Sequence, residues 1–122
     1  MKRILLVLLA VSLTLLACSP APVDTNGNEQ LYGSEWSSAT GEGLRFFKDD
    51  SVQFFSALAE GRGTFSYDSG SRVITFQDLR AEFQTFTTEM PYAKIVANGT
   101  MELYWHKVGS EDYSIETLYR QK

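Results

Sequence analysis

The sequence predicts an all-β fold, a small antiparallel up-and-down β-barrel of about eight or nine short strands. Its eight phenylalanines all lie between Phe46 and Phe86, and two tryptophans and six tyrosines add to a composition that favours strands. No stretch after residue 31 keeps apolar residues at helical spacing over three turns. Short alternating segments between turn residues dominate instead, and a meander of that length closes to remove its open edges.

The strands are predicted, in chain order, at residues 33–38, 43–47, 52–57, 63–67, 72–77, 82–88, 92–97, 100–107 and 113–120. Turn residues separate several of them, namely Asp49-Asp50, Asp68 to Ser71, Asn98-Gly99 and Val108 to Asp112. Asn98-Gly99 is the strongest hairpin signal, because a type I′ turn needs positive φ at both central residues. Residues 78–83 could start a short helical turn instead of a strand.

The register of the first hairpin follows from the cost of burying a charge. A three-residue loop at Asp49-Asp50-Ser51 places four apolar residues on the inner face, Leu44, Phe46, Val52 and Phe54. A two-residue loop would bury Arg45 among rings, which is the costlier outcome. In the later hairpins the predicted inward residues are Gly63, Phe65, Tyr67, Ile74, Phe76, Met101, Leu103 and Trp105.

This register leaves two rings, Phe47 and Phe55, on the outer face beside Arg45. Two outward rings form a larger apolar patch than scattered surface residues usually do. We therefore expect the pair to be covered by a second copy of the chain, by a protein partner, or by residues 83–90 folding back. An oligomer through Phe47 and Phe55 is one of these alternatives.

The N-terminus reads as a secretory signal. Lys2 and Arg3 precede an apolar run, residues 4–16, which is shorter than the roughly 20 residues that a membrane-spanning helix needs. The segment Leu15-Leu16-Ala17-Cys18 then resembles the lipobox of bacterial lipoproteins. That resemblance implies cleavage between Ala17 and Cys18 and attachment of lipid to Cys18.

The predicted organisation is a lipoprotein signal peptide at 1–17, a lipidated N-terminus and flexible tether at 18–30, and one domain at 31–122. Loss of Lys2 and Arg3 makes the formal charge more negative than the −4 of the whole chain, which argues against nucleic acid as a partner. The resemblance places the protein in the cell envelope, held to the membrane through Cys18. With Ser19 after the cysteine, it implies the outer membrane facing the periplasm in a Gram-negative cell.

The domain itself is similar to the lipocalin-like domains of bacterial lipoproteins. The resemblance rests on Gly33-Ser34-Glu35-Trp36, on Leu44-x-Phe46-x-x-Asp49-Asp50-x-Val52-x-Phe54, and on Gly63-Thr64-Phe65 with Ile74-Thr75-Phe76. It implies that Arg120 packs over Trp36 and closes the barrel. Asp50 stands where the turn glycine is usual, and the domain is shorter than a true lipocalin. Its interior is therefore either a ligand cavity or filled by side chains.

No catalytic, metal or cofactor site is predicted. The chain has one histidine, His106, and one cysteine, Cys18, so no nucleophile with its base and no histidine-based metal site can be assembled. We expect a non-enzymatic binding module for a small apolar molecule, a glycan or an envelope protein. The alternative is an inhibitor of a periplasmic or extracellular hydrolase, a lysozyme or a protease.

Overall fold

The computed structural model describes residues 27–122, in which nine antiparallel strands form one sheet. The strands are β1 (Glu35–Ser37), β2 (Gly43–Phe46), β3 (Ser51–Phe55), β4 (Glu60–Asp68), β5 (Val73–Gln77), β6 (Arg80–Glu82), β7 (Thr87–Ala97), β8 (Thr100–Lys107) and β9 (Ser114–Arg120). Pairing of β1 with β9 and of β5 with β7 closes eight of them into a barrel. The ninth strand, β6, pairs with the start of β7. The predicted small antiparallel barrel is confirmed.

The core is formed by the alternate residues of each strand whose side chains point into the barrel. Leu44 lies opposite Phe54, and Phe46 lies opposite Val52, with all four side chains buried. The predicted inner face is therefore correct, but the loop lies one residue earlier than predicted. The Phe47 amide donates to the Ser51 carbonyl, and Asp50 has a φ of 69°. A residue in this left-handed conformation completes a three-residue hairpin loop at 48–50, so Asp50 takes the place of the usual glycine.

The predicted strand at 82–88 is wrong, and so is the alternative of a helical turn at 78–83. Asp78 has a φ of 61°, which interrupts the extended chain after β5 and sends it into the separate strand β6. A tight turn then reverses the chain, with the Phe83 amide donating to the Phe86 carbonyl at 2.8 Å. The two rings of this turn are thereby held at one end of the barrel.

The hairpin at Asn98-Gly99 is present, but its turn is not type I′. Of the two turn residues, Gly99 has a positive φ of 80°, whereas the φ of Asn98 is not positive. The pairing of β7 with β8 also slips by one residue between Ile95 and Ala97. A bulge beside the turn supplies the twist that a type I′ turn would otherwise provide, so one positive φ suffices.

Two inward-facing glycines of β4 allow the backbone of residues 77–80, which leads into β6, to pack directly against β4. A Cβ on Gly61 would lie 1.7 Å from the Arg80 carbonyl oxygen, and one on Gly63 would lie 2.4 Å from that of Gln77. No side chain fits at such distances, so glycine is required here for close backbone approach. This β4–β6 contact determines where the turn at 83–86 lies.

Residues 27–34 cover one end of the barrel, called here the closed end. The buried Asn28 side chain donates to the Phe65 carbonyl and accepts from the Tyr67 amide at 2.7 Å, and Leu31 lies in the core. Residues 27–30, which the sequence assigns to the tether, thus pack on the domain. No helix between residues 27 and 122 is long and apolar enough to span a membrane.

A carboxylate holds this cover in place. Asp50 accepts hydrogen bonds from the Tyr32 hydroxyl and from the Asn28 amide, the latter at 3.0 Å. The bond with Asp50 raises the pKa of Tyr32 to about 12, and the bonds from Tyr32 and Asn28 lower the pKa of Asp50. The residue that shapes the first hairpin therefore also fixes the chain that covers the closed end.

Candidate functional site

The end opposite residues 27–34 is open and is called here the mouth. It is bounded by the turns after β1, β3, β6 and β8. A cavity of about 110 Å³ opens there, and most of its lining is aromatic or aliphatic. This mouth cavity is lined by Glu42, Phe54, Phe83, Phe86, Thr88, Met90, Leu103, Trp105 and Glu116. The buried core of the barrel lies beneath this cavity, with Phe54 and Leu103 belonging to both.

Rings form the wall of the mouth cavity. Phe83 and Phe86 stack with their centroids 4.9 Å apart and their planes 16° from parallel. Trp105 is partly buried, whereas Leu103 and Phe54 are buried deeper in the barrel. An apolar molecule in this position would meet ring faces and aliphatic groups, which provide contact area without demanding hydrogen bonds.

Two carboxylates interrupt the apolar lining. Glu42 lies in the turn after β1 and accepts hydrogen bonds from the hydroxyls of Ser38, at 2.7 Å, and Thr40. These bonds lower the pKa of Glu42. Glu116 lies opposite Leu103 in the pairing of β8 with β9 and therefore shares the inner face. Burial raises the pKa of Glu116 and the charge of Glu42 raises it further, against a smaller lowering by a hydrogen bond from Ser38.

Trp36 and Arg120 meet where the barrel closes. They are directly paired between β1 and β9, and the Arg120 guanidinium carbon lies 5.5 Å from the centre of the Trp36 ring. The Trp36 side chain is 1% exposed, and its indole nitrogen donates to the Ser34 hydroxyl at 3.0 Å. Both residues lie away from the mouth cavity and contribute to the lining of a recess at the closed end. A structural role in closing the barrel stays a prediction.

Phe47 and Phe55 are half-buried rings on the outer face. Arg62 lies over the Phe47 ring at 4.9 Å, and Arg45 lies over the Phe55 ring at 4.2 Å. Glu35 holds Arg45 in an ion pair of 2.8 Å. The guanidinium groups of neighbouring strands thus cover much of the predicted partner patch. Oligomerisation through these two rings stays a prediction.

Further apolar side chains lie elsewhere on the outer face, along β7 and β8 and on or just before β9. Tyr92 and Tyr104 stack at 4.6 Å, while Tyr113, Ile115 and Tyr119 are each about half exposed. Alternation in the sequence predicts Met101 and Leu103 inward and Tyr104 outward, which is confirmed, but it leaves the faces of Ile115 and Tyr119 on β9 unassigned.

A more polar recess of about 460 Å³ lies at the closed end, where Tyr67, Arg72 and Arg120 contribute to its lining. The chain joins the domain beside it, because Gly27 lies against the Tyr67 carbonyl. The mouth cavity is the better candidate for a ligand, since its lining is apolar and its opening lies at the far end from this junction.

Some predicted sites can be placed and others cannot. Ala17 and Cys18, with the rest of the predicted signal peptide, lie outside the described residues. Sequence reasoning named Phe54, Leu103 and Trp105 as inner residues but missed Phe83, Phe86, Glu42 and Glu116 as parts of a site. Comparison with protein-family models, curated proteins and solved structures finds no match to this chain. The site is therefore interpreted from its own chemistry.

Proposed function

We propose that the protein is a lipid-anchored, non-enzymatic binding module that holds a small apolar molecule in the mouth cavity. The observation that carries the proposal is the ring-lined, largely apolar cavity at the mouth of the barrel. Concave apolar sites with a few polar groups are the usual form of small-molecule sites. The lipocalin-like features in the sequence agree with this use of a barrel.

The size of the cavity limits the ligand. Its volume of about 110 Å³ is somewhat below that of an engineered cavity of roughly 150 Å³ that binds benzene. The part of the ligand that enters is thus a single ring or a short alkyl chain. A larger molecule would leave the remainder at the mouth, beside the exposed edge of Phe86.

Benzyl alcohol tests the cavity directly. We expect it to shift the indole N–H resonance of Trp105 in NMR titrations and to leave that of Trp36 unchanged. Trp36 lies at the seam, the name used here for the pairing of β1 with β9 that closes the barrel. Replacing Phe83 and Phe86 together by alanine should weaken binding about fivefold, because roughly 1 kcal/mol of apolar contact is lost. Phe47→Ala, a ring on the outer face, is the matched control. Equal shifts at both tryptophans, or equal affinity in all variants, would contradict the proposed site.

The anchor is tested separately with the full chain in a bacterial host. Leu15-Leu16-Ala17-Cys18 supports the proposal of lipidation at Cys18. We expect the native protein to partition into detergent and to carry the mass of added acyl chains, because multiple chains give stable attachment. The Cys18→Ser variant should appear in the aqueous phase without that mass. A native protein that carries no lipid would refute the anchor and leave the cavity proposal intact.

The alternative of a hydrolase inhibitor stays a prediction from the sequence. The mouth cavity favours a small ligand because its volume of about 110 Å³ accommodates a group the size of a single ring.

A further inference from the structure

The two carboxylates of the mouth cavity, Glu42 and Glu116, differ in the hydrogen bonds that they accept. Glu42 accepts both nearby hydroxyl protons, those of Ser38 and Thr40. Ser38 also lies within reach of Glu116, where a hydrogen bond from it lowers the pKa of Glu116. A hydroxyl has one proton to donate, however, so the Ser38 proton given to Glu42 cannot serve Glu116 at the same time. Glu116 is thus an inward-facing carboxylate whose nearby hydroxyl is already engaged by another acid.

The ion pairs among residues 27–122 do not involve the two acids of the mouth cavity. Between residues 27 and 122 the ion pairs join Glu35 to Arg45 and Glu89 to Arg80, and the His106 ring also lies beside Glu89. Arg120 shares the inner face of β9 but lies over Trp36. Lys107, near the mouth, lies over the Phe86 ring with 4.7 Å from its nitrogen to the ring centre.

We propose that the mouth cavity selects a small organic amine, whose apolar body lies among the rings and whose ammonium lies beside Glu116 and Glu42. This inference rests on the proposed function and further specifies that the ligand is positively charged. An ammonium would supply Glu116 with the hydrogen-bond donor that Ser38 cannot give while it is bonded to Glu42, and it would offset the repulsion between the two acids. Aromatic faces also attract cations, as the position of Lys107 over Phe86 illustrates.

The raised pKa of Glu116 agrees with this geometry. Burial and the charge of Glu42 both disfavour its ionised form. A bound cation would reverse this balance and keep both carboxylates ionised, because an opposite charge favours the charged form.

Three ligands of similar shape test the inference. Benzylammonium, benzyl alcohol and benzoate differ in charge but share the ring, and each is titrated at neutral pH while the Trp105 indole resonance is followed. We expect benzylammonium to bind about tenfold more tightly than benzyl alcohol, as for a hydrogen bond to a charged group. Benzoate should bind more weakly than either.

The Glu116→Gln variant separates charge from shape. It should lose most of the preference for benzylammonium and keep the affinity for benzyl alcohol. Glu102→Gln, which removes an acid from the outer face of β8, is the matched control and should keep the preference. Thermal unfolding of each variant verifies that it is folded.

The outcomes distinguish the two proposals. If benzyl alcohol binds and benzylammonium binds no better, the cavity stands and the preference for amines is overturned. If Glu116→Gln and Glu102→Gln weaken benzylammonium equally, the effect is one of net charge and the assignment to Glu116 is overturned. If none of the three ligands binds, the cavity proposal itself fails.

Discussion

The Gly61→Ala variant is expected to lose about 3 kcal/mol of unfolding free energy, at the upper end of the range for overpacked sites. The added methyl group would lie 1.7 Å from the Arg80 carbonyl oxygen and 2.7 Å from its carbon. Both atoms belong to the backbone, so a side-chain rotation cannot relieve the clash. The β4–β6 contact must open instead, and urea unfolding followed by tryptophan fluorescence measures the cost.

Gly70→Ala is the control for this substitution. Gly70 lies in the exposed turn after β4, where an added Cβ would meet the Asp68 carboxylate oxygen at 3.3 Å and no backbone atom within 4 Å. Its effect should stay within about 0.5 kcal/mol. A similar small effect at Gly61 would mean that β6 does not press on β4 as described. Because β6 leads into Phe83, Gly61→Ala should also weaken binding of benzyl alcohol.

The Trp36→Ala variant is expected to lose about 3–5 kcal/mol of unfolding free energy, the range for truncation of a large buried aromatic residue. Trp36 is fully enclosed where β1 meets β9, and its removal would leave a void at the seam and deprive the Ser34 hydroxyl of its indole donor. Urea unfolding, followed by circular dichroism because a tryptophan is lost, measures the change.

A double-mutant cycle with Arg120→Gln separates the ring from the cation above it. Arg120 is exposed, so its attraction to the Trp36 ring should contribute only about 0.5–1 kcal/mol. The coupling energy between Trp36→Ala and Arg120→Gln should have that size. A coupling near zero would show that Arg120 contributes nothing to closure through the ring, and a loss below about 1 kcal/mol for Trp36→Ala would contradict its role at the seam.

Alternation along single strands was enough to predict most of the barrel. Leu44, Phe46, Val52 and Phe54 face inward as predicted, because burial of Arg45 is the only other choice that the pattern allows. The same reasoning could not predict β6. That strand depends on the left-handed conformation of Asp78 and on contact with Gly61, which lies far from it in the sequence.

The candidate site was harder to predict, and β9 shows why. Its apolar residues Ile115 and Tyr119 alternate as an inner face would, yet both are about half exposed. The face that each residue of β9 occupies is set by closure of the barrel. Pairing of Arg120 with Trp36 and of Leu118 with Met101 turns Glu116 inward. A charge on the inner face cannot be recognised until the partners of the strand are known.

The covered end and the mouth lie at opposite poles of the barrel, and this determines the route by which a ligand would arrive. A lipid at Cys18 would tie the covered pole to the membrane, because the chain joins the domain at Gly27 beside Tyr67. The mouth would then be the pole farther from the point of attachment. Occupancy would be set by the dissolved concentration of the ligand, not by its partitioning into the bilayer, and this condition favours a water-soluble ammonium over a neutral lipid.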